Sequence, residues 1–449
     1  MALIHFISLG CDKNLSDSEH MMGLLRAAGH SFTDDPSQAE AIIVNTCSFI
    51  GDAKEESIAA ILEMAGWKDQ GRLKALIATG CLTERYQKEI LRELPELDAV
   101  LGTSSYQHIV SALDKALTKK AEGEALAYFE DTSLLPSVKE RILTTGGYYA
   151  YLKIAEGCDK FCTYCAIPYV RGRYRSIPME ELTEEAVRLA DMGVRELLLV
   201  AQETTLYGTD LYGHKALTEL LARLEAIPGI RWIRLLYGYP EELTDEMIDY
   251  MASSAKLCHY LDLPIQHASD SVLARMGRKT NKASLTALIA KLRKRIPDIV
   301  LRTTLLCGFP GETAQEHEEN LTFLQEMRFD RLGVFAYSRE EGTAAYSMKP
   351  QVPKQTREKR RRQLMLAQQK IAFEKAQQTV GRVLDVMTEG YLPEEGIYVG
   401  RSYMDAPDVD GLVFFEHDTE LISGSFVKVR VTSAKDYDLI GECLHEPAE

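Results

Sequence analysis

Apolar and polar positions alternate between two periods along the first 120 residues. Mainly apolar runs at 3–9, 41–46, 75–79 and 98–101 are too short for helices and have the content of buried strands. Between them, apolar residues recur at helical spacing over about 16–28, 53–65, 84–93 and 106–119. Strand and helix alternating in this way predict an α/β domain over 1–120, with a parallel sheet covered on both faces. Residues 121–147, with Gly123, Pro136, Gly146 and Gly147, break the pattern and read as a linker.

The alternation resumes over 148–345. Strands are expected near 149–155, 195–201, 231–236, 259–264, 298–306 and 331–337, with helices over 179–192, 215–226, 243–254, 282–295 and 313–327. A full (β/α) barrel needs eight such strands, so six predict an incomplete one. Pro350 and Pro353 punctuate its end, and 346–379 connects onward through one polar helix at 356–379. That helix is basic at its start: Arg357, Lys359, Arg360, Arg361 and Arg362. The rest, 380–449, shows strand-like runs at 382–388, 397–401, 412–415, 425–431 and 438–443. It predicts a small five-stranded antiparallel β-barrel.

Composition narrows the functional classes. Of 449 residues, 45% are hydrophobic and 27% charged, which excludes a fibrous or largely disordered chain. Lys and Arg number 52 against 67 Asp and Glu, a formal net charge of −15, which is wrong for gripping bare duplex nucleic acid. No apolar stretch reaches the roughly 20 residues of a membrane helix, and the start lacks the basic region of a signal peptide. A cytoplasmic protein without membrane contact is expected. Nine cysteines in a reducing compartment point to metal binding or chemistry rather than disulfides.

Three of those cysteines form a C-x-x-x-C-x-x-C motif: Cys158, Cys162 and Cys165. Thiolates are soft ligands for iron–sulfur clusters and zinc. Three close thiolates can hold three irons of a 4Fe–4S cube and leave the fourth open to an amino and a carboxylate group. A zinc site usually pairs two C-x-x-C units, and no second unit exists here. The motif follows the first strand of the second block, on the carboxyl side where (β/α) barrels carry their active sites. Cys11, Cys47 and Cys81 make a second set. Each follows a predicted strand of the first sheet, and the carboxyl ends of parallel strands face one crevice. They can converge into another three-thiolate site, although buried cysteines also serve as small hydrophobes. Cys258, Cys307 and Cys443 share no spacing and read as structural.

The motif resembles that of the radical S-adenosylmethionine superfamily, and its combination with Cys11, Cys47 and Cys81 resembles the methylthiotransferases within it. The matching stretches are LGCDKNLSDSE, VNTCSFIGDAKEES, TGCLTERY, KIAEGCDKFCTYCAIPYVRGRYRS, LVAQETTLYGTDLYG, YLDLPIQHAS, RTTLLCGFPGET and YSREEGT. They cover nearly the whole chain and lie nearest the branch that modifies a ribosomal-protein aspartate. One departure is Ile177, where the family pattern has Arg. The resemblance implies a transferase with two 4Fe–4S clusters, on Cys11, Cys47 and Cys81 and on Cys158, Cys162 and Cys165, and a TRAM-like final barrel. The second cluster would cleave S-adenosylmethionine to a radical that abstracts hydrogen from an unactivated carbon, a step a cofactor must carry. The first would present a sulfur methylated by a second S-adenosylmethionine, with sulfide or persulfide as its source. The implied target is the β-carbon of an aspartate in small-subunit ribosomal protein twelve.

Other candidates are weaker. Gln202 and Glu203 end the second barrel strand, within reach of a cofactor's amino end, or are ordinary loop polarity. Arg302 and Thr303 lie within the fifth strand, and Gly308 and Gly311 frame the GFPGE turn that could approach an adenosine or be a plain turn. Arg171 and Arg173 could pair with carboxylates, since guanidinium matches them bidentately, or form a solvated loop. Gln266 and His267 end the fourth strand, where a lone His is more often structural. Residues 377–445 carry 13 acidic and 5 basic side chains. That charge favours a basic ribosomal protein, free or in the subunit, over direct base-specific nucleic-acid binding. An external electron donor completes the expected partners. Two alternatives stay open: the same chemistry on a tRNA adenosine, which predicts a basic final barrel, and a non-enzymatic iron–sulfur carrier.

Overall fold

The computed structural model describes residues 1–118 and 125–447, so 119–124, including the start of the expected linker, and 448–449 lie outside it. The chain forms two compact units. The first gathers 1–144, 155–177 and 338–346, and the second takes 145–154, 178–337 and the chain from 347 onward.

The first unit is built on β1 (Leu3–Ser8), β2 (Ser31–Phe32), β3 (Ala41–Thr46), β4 (Ala75–Gly80), β5 (Ala99–Leu101) and β6 (Leu126–Tyr128). All pairings are parallel, in the order β2-β1-β3-β4-β5-β6. Side chains alternate faces along a strand. Ile4, Ala41, Ile43, Ala75 and Ile77 therefore point to one side, onto Met21, Leu25, Ile109 and Leu113 of the helices Asp12–Ala27 and Ile109–Thr118. Ile42, Val44, Leu76 and Ala78 point to the other, onto Ile61 and Met64 of Gly51–Ala65. Two faces to cover explain why β3 and β4 each open with four consecutive apolar residues.

The expected linker is in part the sixth strand. β6 pairs with β5, and Arg141 and Thr144 bond the buried Glu19 at 2.7 Å each. Its three residues were too short to read as a strand locally, because their main-chain partners lie far away in sequence.

In the second unit β7 (Tyr149–Lys153), β10 (Glu196–Val200), β11 (Trp232–Leu235), β12 (Leu257–Asp262), β13 (Val300–Cys307) and β14 (Arg331–Ala336) form an open parallel sheet in sequential order. Helices Met179–Asp191, Leu217–Glu225, Asp245–Ser253, Lys282–Arg295 and Ala314–Met327 follow the expected segments. A further short helix, Asp270–Met276, was not anticipated; it ends at Gly277 with a φ of 76°. Between β7 and β10 in the chain, β8 (Ala155–Glu156) and β9 (Arg175–Ser176) pair antiparallel and belong to the first unit. The segment carrying the C-x-x-x-C-x-x-C motif thus packs with the N-terminal residues, although it lies within the span read as barrel.

Helix Lys354–Gln378 leads to β15 (Val383–Leu392), β16 (Ile397–Ser402), β17 (Val413–Glu416), β18 (Phe426–Lys435) and β19 (Asp438–Pro447), a closed barrel. It was expected to be antiparallel throughout, but β17 and β19 run parallel. Strand directions cannot alternate around a ring with an odd number of strands, so closing five requires one parallel pair. The barrel meets the amino ends of the sheet strands. Glu196, first in β10, bonds Arg401 at 2.7 Å, and Tyr149, first in β7, bonds Asp408 at 3.1 Å. Arg331, first in β14, bonds Asp405 at 2.5 Å, and Trp232, first in β11, stands edge-on to Phe426.

Candidate functional site

Strand order decides where the first three thiols lie. β1 and β3 are sheet neighbours while the chain runs from β1 outward to β2 and back, which opens a crevice at the carboxyl ends of β1 and β3. Cys11 follows β1 and caps the helix Asp12–Ala27 in extended conformation, Cys47 follows β3, and Cys81 follows β4 as the first residue of helix Cys81–Arg85. Gly10, at φ +92°, brings the backbone so close to Cys47 that a Cβ there would sit 3.0 Å from its sulfur. Gly80, at φ +98°, leaves no room for a Cβ against Asn45 Oδ1 and the Thr46 carbonyl. Ser57 holds Cys47 by accepting from its amide and donating to its carbonyl, both at 3.0 Å.

Burial pushes the Cys81 thiol up to about 12, with Arg171 opposing and the charges of Cys11 and Cys47 adding to the shift. Burial, then Cys11, also raises Cys47.

The second three lie in the same unit. Cys158 follows β8, its amide donating to the Gly172 carbonyl at 3.1 Å, and the Cys165 amide donates to the Cys162 carbonyl at 2.9 Å. Burial, then Cys162 and Cys158, push the Cys165 thiol up to about 12. The Ala345 amide donates to the Thr163 carbonyl at 2.7 Å. Glu340, in the same 338–346 segment, bonds Lys54 at 2.8 Å and Arg85 at 2.9 Å. One buried carboxylate thus ties that segment to the elements that follow Cys47 and Cys81.

Arg171 is 2% exposed and does not belong to a solvated loop. Its Nη1 donates to Glu156 at 2.8 Å and Asp17 at 3.1 Å, its Nη2 to Asn14 Oδ1, and its Nε to the Cys81 sulfur at 3.4 Å. Burial opposes its charge, but Cys81, Glu156, Asp17 and Cys11 hold its pKa above the ordinary guanidinium value. Asn14 also donates to the carbonyls of Leu9 and Thr46 at 2.9 Å each, joining the ends of β1 and β3. Sequence reading missed Asn14, Asp17 and Glu156. The signal was the run DKNLSDSEH, where the start of a helix has polar residues on every side and most are buried. Arg173, two residues on, is exposed, pairs with Asp159 at 3.2 Å and lies over the Phe161 ring at 4.5 Å.

Both sets fit iron–sulfur clusters by donor type. Among the described residues, no three Cys, His, Asp or Glu side chains stand close enough to share one metal ion.

The remaining candidates lie in the second unit. Glu203 is fully buried after β10 and accepts from the Thr205 hydroxyl, and Gln202 precedes it. Arg302 is third in β13, 3.9 Å from Asp262. Burial works against its charge, but Asp262, Tyr260 and Asp410 raise its pKa. Thr303 donates to the Leu263 carbonyl at 2.7 Å. In the GFPGE turn, Glu312 accepts from the amides of Gly308 and Phe309 and lies 3.3 Å from Arg360 and 3.8 Å from the buried His267. The turn's donors are thus used internally. A Cβ on Gly308 would collide with Arg357, and the Gly311 amide donates to the Pro350 carbonyl at 2.8 Å. Packing accounts for Gly308, and a φ of 76° for Gly311. Gln266, at φ 71°, bridges to Leu305.

Family models match three stretches: the uncharacterized protein family UPF0004 over 3–102, the radical SAM superfamily over 152–324, and the TRAM domain over 380–444. A protein of Lachnoclostridium phytofermentans named ribosomal protein uS12 methylthiotransferase RimO is 60% identical over 98% of this chain and 99% of its own. The chain belongs to the RimO methylthiotransferase family. A RimO of Thermoanaerobacter sp. is 49% identical over 98% of this chain and 100% of its own. The protein is accordingly a transferase of the radical SAM class, and that class implies S-adenosylmethionine and a 4Fe–4S cluster. Among solved structures, the radical S-adenosylmethionine methyltransferase TsrM of Kitasatospora setae shares the fold. Its TM-score is 0.56 at 12% identity, over 85% of this chain and 80% of that one. No helix among the described residues is long and apolar enough to cross a membrane.

Proposed function

We propose that this protein inserts a methylthio group at the β-carbon of an aspartate in ribosomal protein uS12, in the cytoplasm, using two clusters and an external electron donor. The observation that carries the reading is 60% identity over 98% of the chain to a protein named for that reaction. Cys158, Cys162 and Cys165 would hold the cluster that binds S-adenosylmethionine, and Cys11, Cys47 and Cys81 the other. When bound, the two clusters and S-adenosylmethionine would supply an electron, a hydrogen-abstracting fragment and a methylated sulfur.

The chain's own part is positional and electrostatic. Arg171 and Asn14 fix the ends of β1, β3 and the Cys158 hairpin, and Glu340 fixes the segments after Cys47 and Cys81. The C-terminal barrel carries less free negative charge than its composition suggested. Glu389 and Asp405 are held by Arg401 and Arg331, and Asp410 by Tyr260. Exposed Asp385, Glu394, Glu395, Glu416, Asp418, Glu420, Asp436 and Glu442 still outnumber Arg382, Lys428, Arg430 and Lys435, so the surface favours a basic protein.

The test is an anaerobic competition. The reconstituted protein receives reductant, sulfide, S-adenosylmethionine, uS12 and unmodified tRNA, and both acceptors are read by mass spectrometry. A methylthio group on uS12 alone supports the proposal. A methylthio group on tRNA alone overturns the substrate, and 5′-deoxyadenosine without modification of either overturns both acceptors.

A further inference from the structure

The bonds of Arg171 go beyond fixing strand ends, because one of them reaches a thiol. Arg171 is a buried guanidinium whose fork reaches two carboxylates, one amide oxygen and one thiol, drawn from three separate parts of the sequence. Glu156 belongs to β8, which opens into the Cys158 segment. Asp17 and Asn14 belong to the helix that Cys11 caps, and Cys81 stands at the end of β4. Cys81 also packs against Ala166 and Val170, which follow Cys165 closely in the chain. The Val170 carbonyl accepts from Thr103 at 3.0 Å, so the Cys158 segment is anchored beyond Arg171 as well.

We infer that Arg171 is a positioning residue that joins the two thiol sets and tunes the one containing Cys81. The inference rests on the two-cluster reading above. An N–H donated to a ligating sulfur and a nearby positive charge both favour the more reduced cluster, since hydrogen bonding and net charge set iron–sulfur potentials. The sulfur that Arg171 Nε reaches, at 3.4 Å, is that of Cys81. The effect is therefore expected at the Cys11, Cys47 and Cys81 site. A guanidinium is required rather than any cation, because Lys cannot serve a thiol, an amide oxygen and two carboxylates from one rigid plane.

The experiment isolates each site. One background replaces Cys158, Cys162 and Cys165 by Ala, and the other replaces Cys11, Cys47 and Cys81. Arg171→Lys and Arg171→Gln are made in both full-length backgrounds and reconstituted anaerobically. Iron per chain and the midpoint potential by EPR-monitored titration are then measured, with circular dichroism as the check on folding. The expected result is a lower potential or reduced iron occupancy where Cys11, Cys47 and Cys81 remain, larger for Gln than for Lys, and no change of potential in the other background. An unchanged potential and occupancy at a loaded first site overturns the role of Arg171 alone. Equal shifts in both backgrounds also overturn it, as a general structural effect. Should the first background bind no iron even with Arg171 intact, the two-cluster reading falls, and the inference with it. If Arg171→Gln does not fold, Arg171→Lys decides by the same readings.

Discussion

Arg171 and Arg401 are both buried arginines that each bond two carboxylates, yet they sit in opposite kinds of surroundings. Arg401, 1% exposed, bonds Glu196 and Glu389, while Arg234 answers the other oxygen of Glu196 at 2.8 Å. Two cations and two anions close on one another, and the Arg234 ring contact with Tyr260 and its bond to the Tyr403 carbonyl complete the set. The group fastens the C-terminal barrel to the amino ends of the sheet, the side of a (β/α) barrel where structure rather than chemistry concentrates. At Arg171 one of the four partners is a thiol. With a cluster on Cys81, as proposed, the network around Arg171 would respond to what that sulfur binds, whereas a network of side-chain ions alone can only hold two elements together.

The largest effects break the thiol side of this comparison. Cys158→Ala is expected to abolish cleavage of S-adenosylmethionine, read as loss of 5′-deoxyadenosine. Cys81→Ala should leave that cleavage in place and remove the methylthio product, read by mass spectrometry. Equal loss of cleavage in both would merge the two sites into one function.

The charge side should respond in stability. Glu196→Gln removes the carboxylate between Arg234 and Arg401, and breaking such a buried pair costs about 3–5 kcal/mol. Urea midpoints should fall while iron binding at both thiol sets is retained. The pH dependence has a definite sign. Burial alone would raise the Glu196 pKa, but Arg401 and Arg234 outweigh it and hold it below the usual carboxylate range. A depressed folded-state pKa means the contribution is complete above the unfolded value and is lost as pH falls through the folded one. Wild-type stability should therefore decline at acid pH by more than that of Glu196→Gln.

Gly80→Ala tests the strand-end geometry. Its positive φ and the crowding by Asn45 and Thr46 predict a cost of about 1–3 kcal/mol and weaker iron binding at the Cys81 site. The smallest effect belongs to Arg173→Ala. Its exposed pair with Asp159 and its ring contact with Phe161 are worth under about 1 kcal/mol together, by thermal melting. A cost near that of Glu196→Gln would mean that burial does not separate these arginines.

Much of the site was legible because its signals are local. A short apolar run followed by Cys at 11, 47 and 81 places each thiol at a strand end, and the spacing of 158, 162 and 165 is itself the signal. The closed five-stranded barrel was legible from its strands. Its parallel seam was not, because pairing direction between β17 and β19 depends on ring closure rather than on either segment. The acidic count of the C-terminal barrel overstated its free charge, since composition does not distinguish Asp405, bonded to Arg331, from Glu394 on the surface.

The sequence by itself determined the order of elements, the six strand-end and motif cysteines, and through them the family. Period and spacing survive in one dimension because each side chain's direction follows its own backbone. Only the tertiary structure decided what each buried charge meets. Arg171 lies 154 positions from Asp17 and 90 from Cys81, and Arg401 lies 205 from Glu196. A guanidinium out of water needs partners, but which ones it finds depends on chain segments that only the fold brings together.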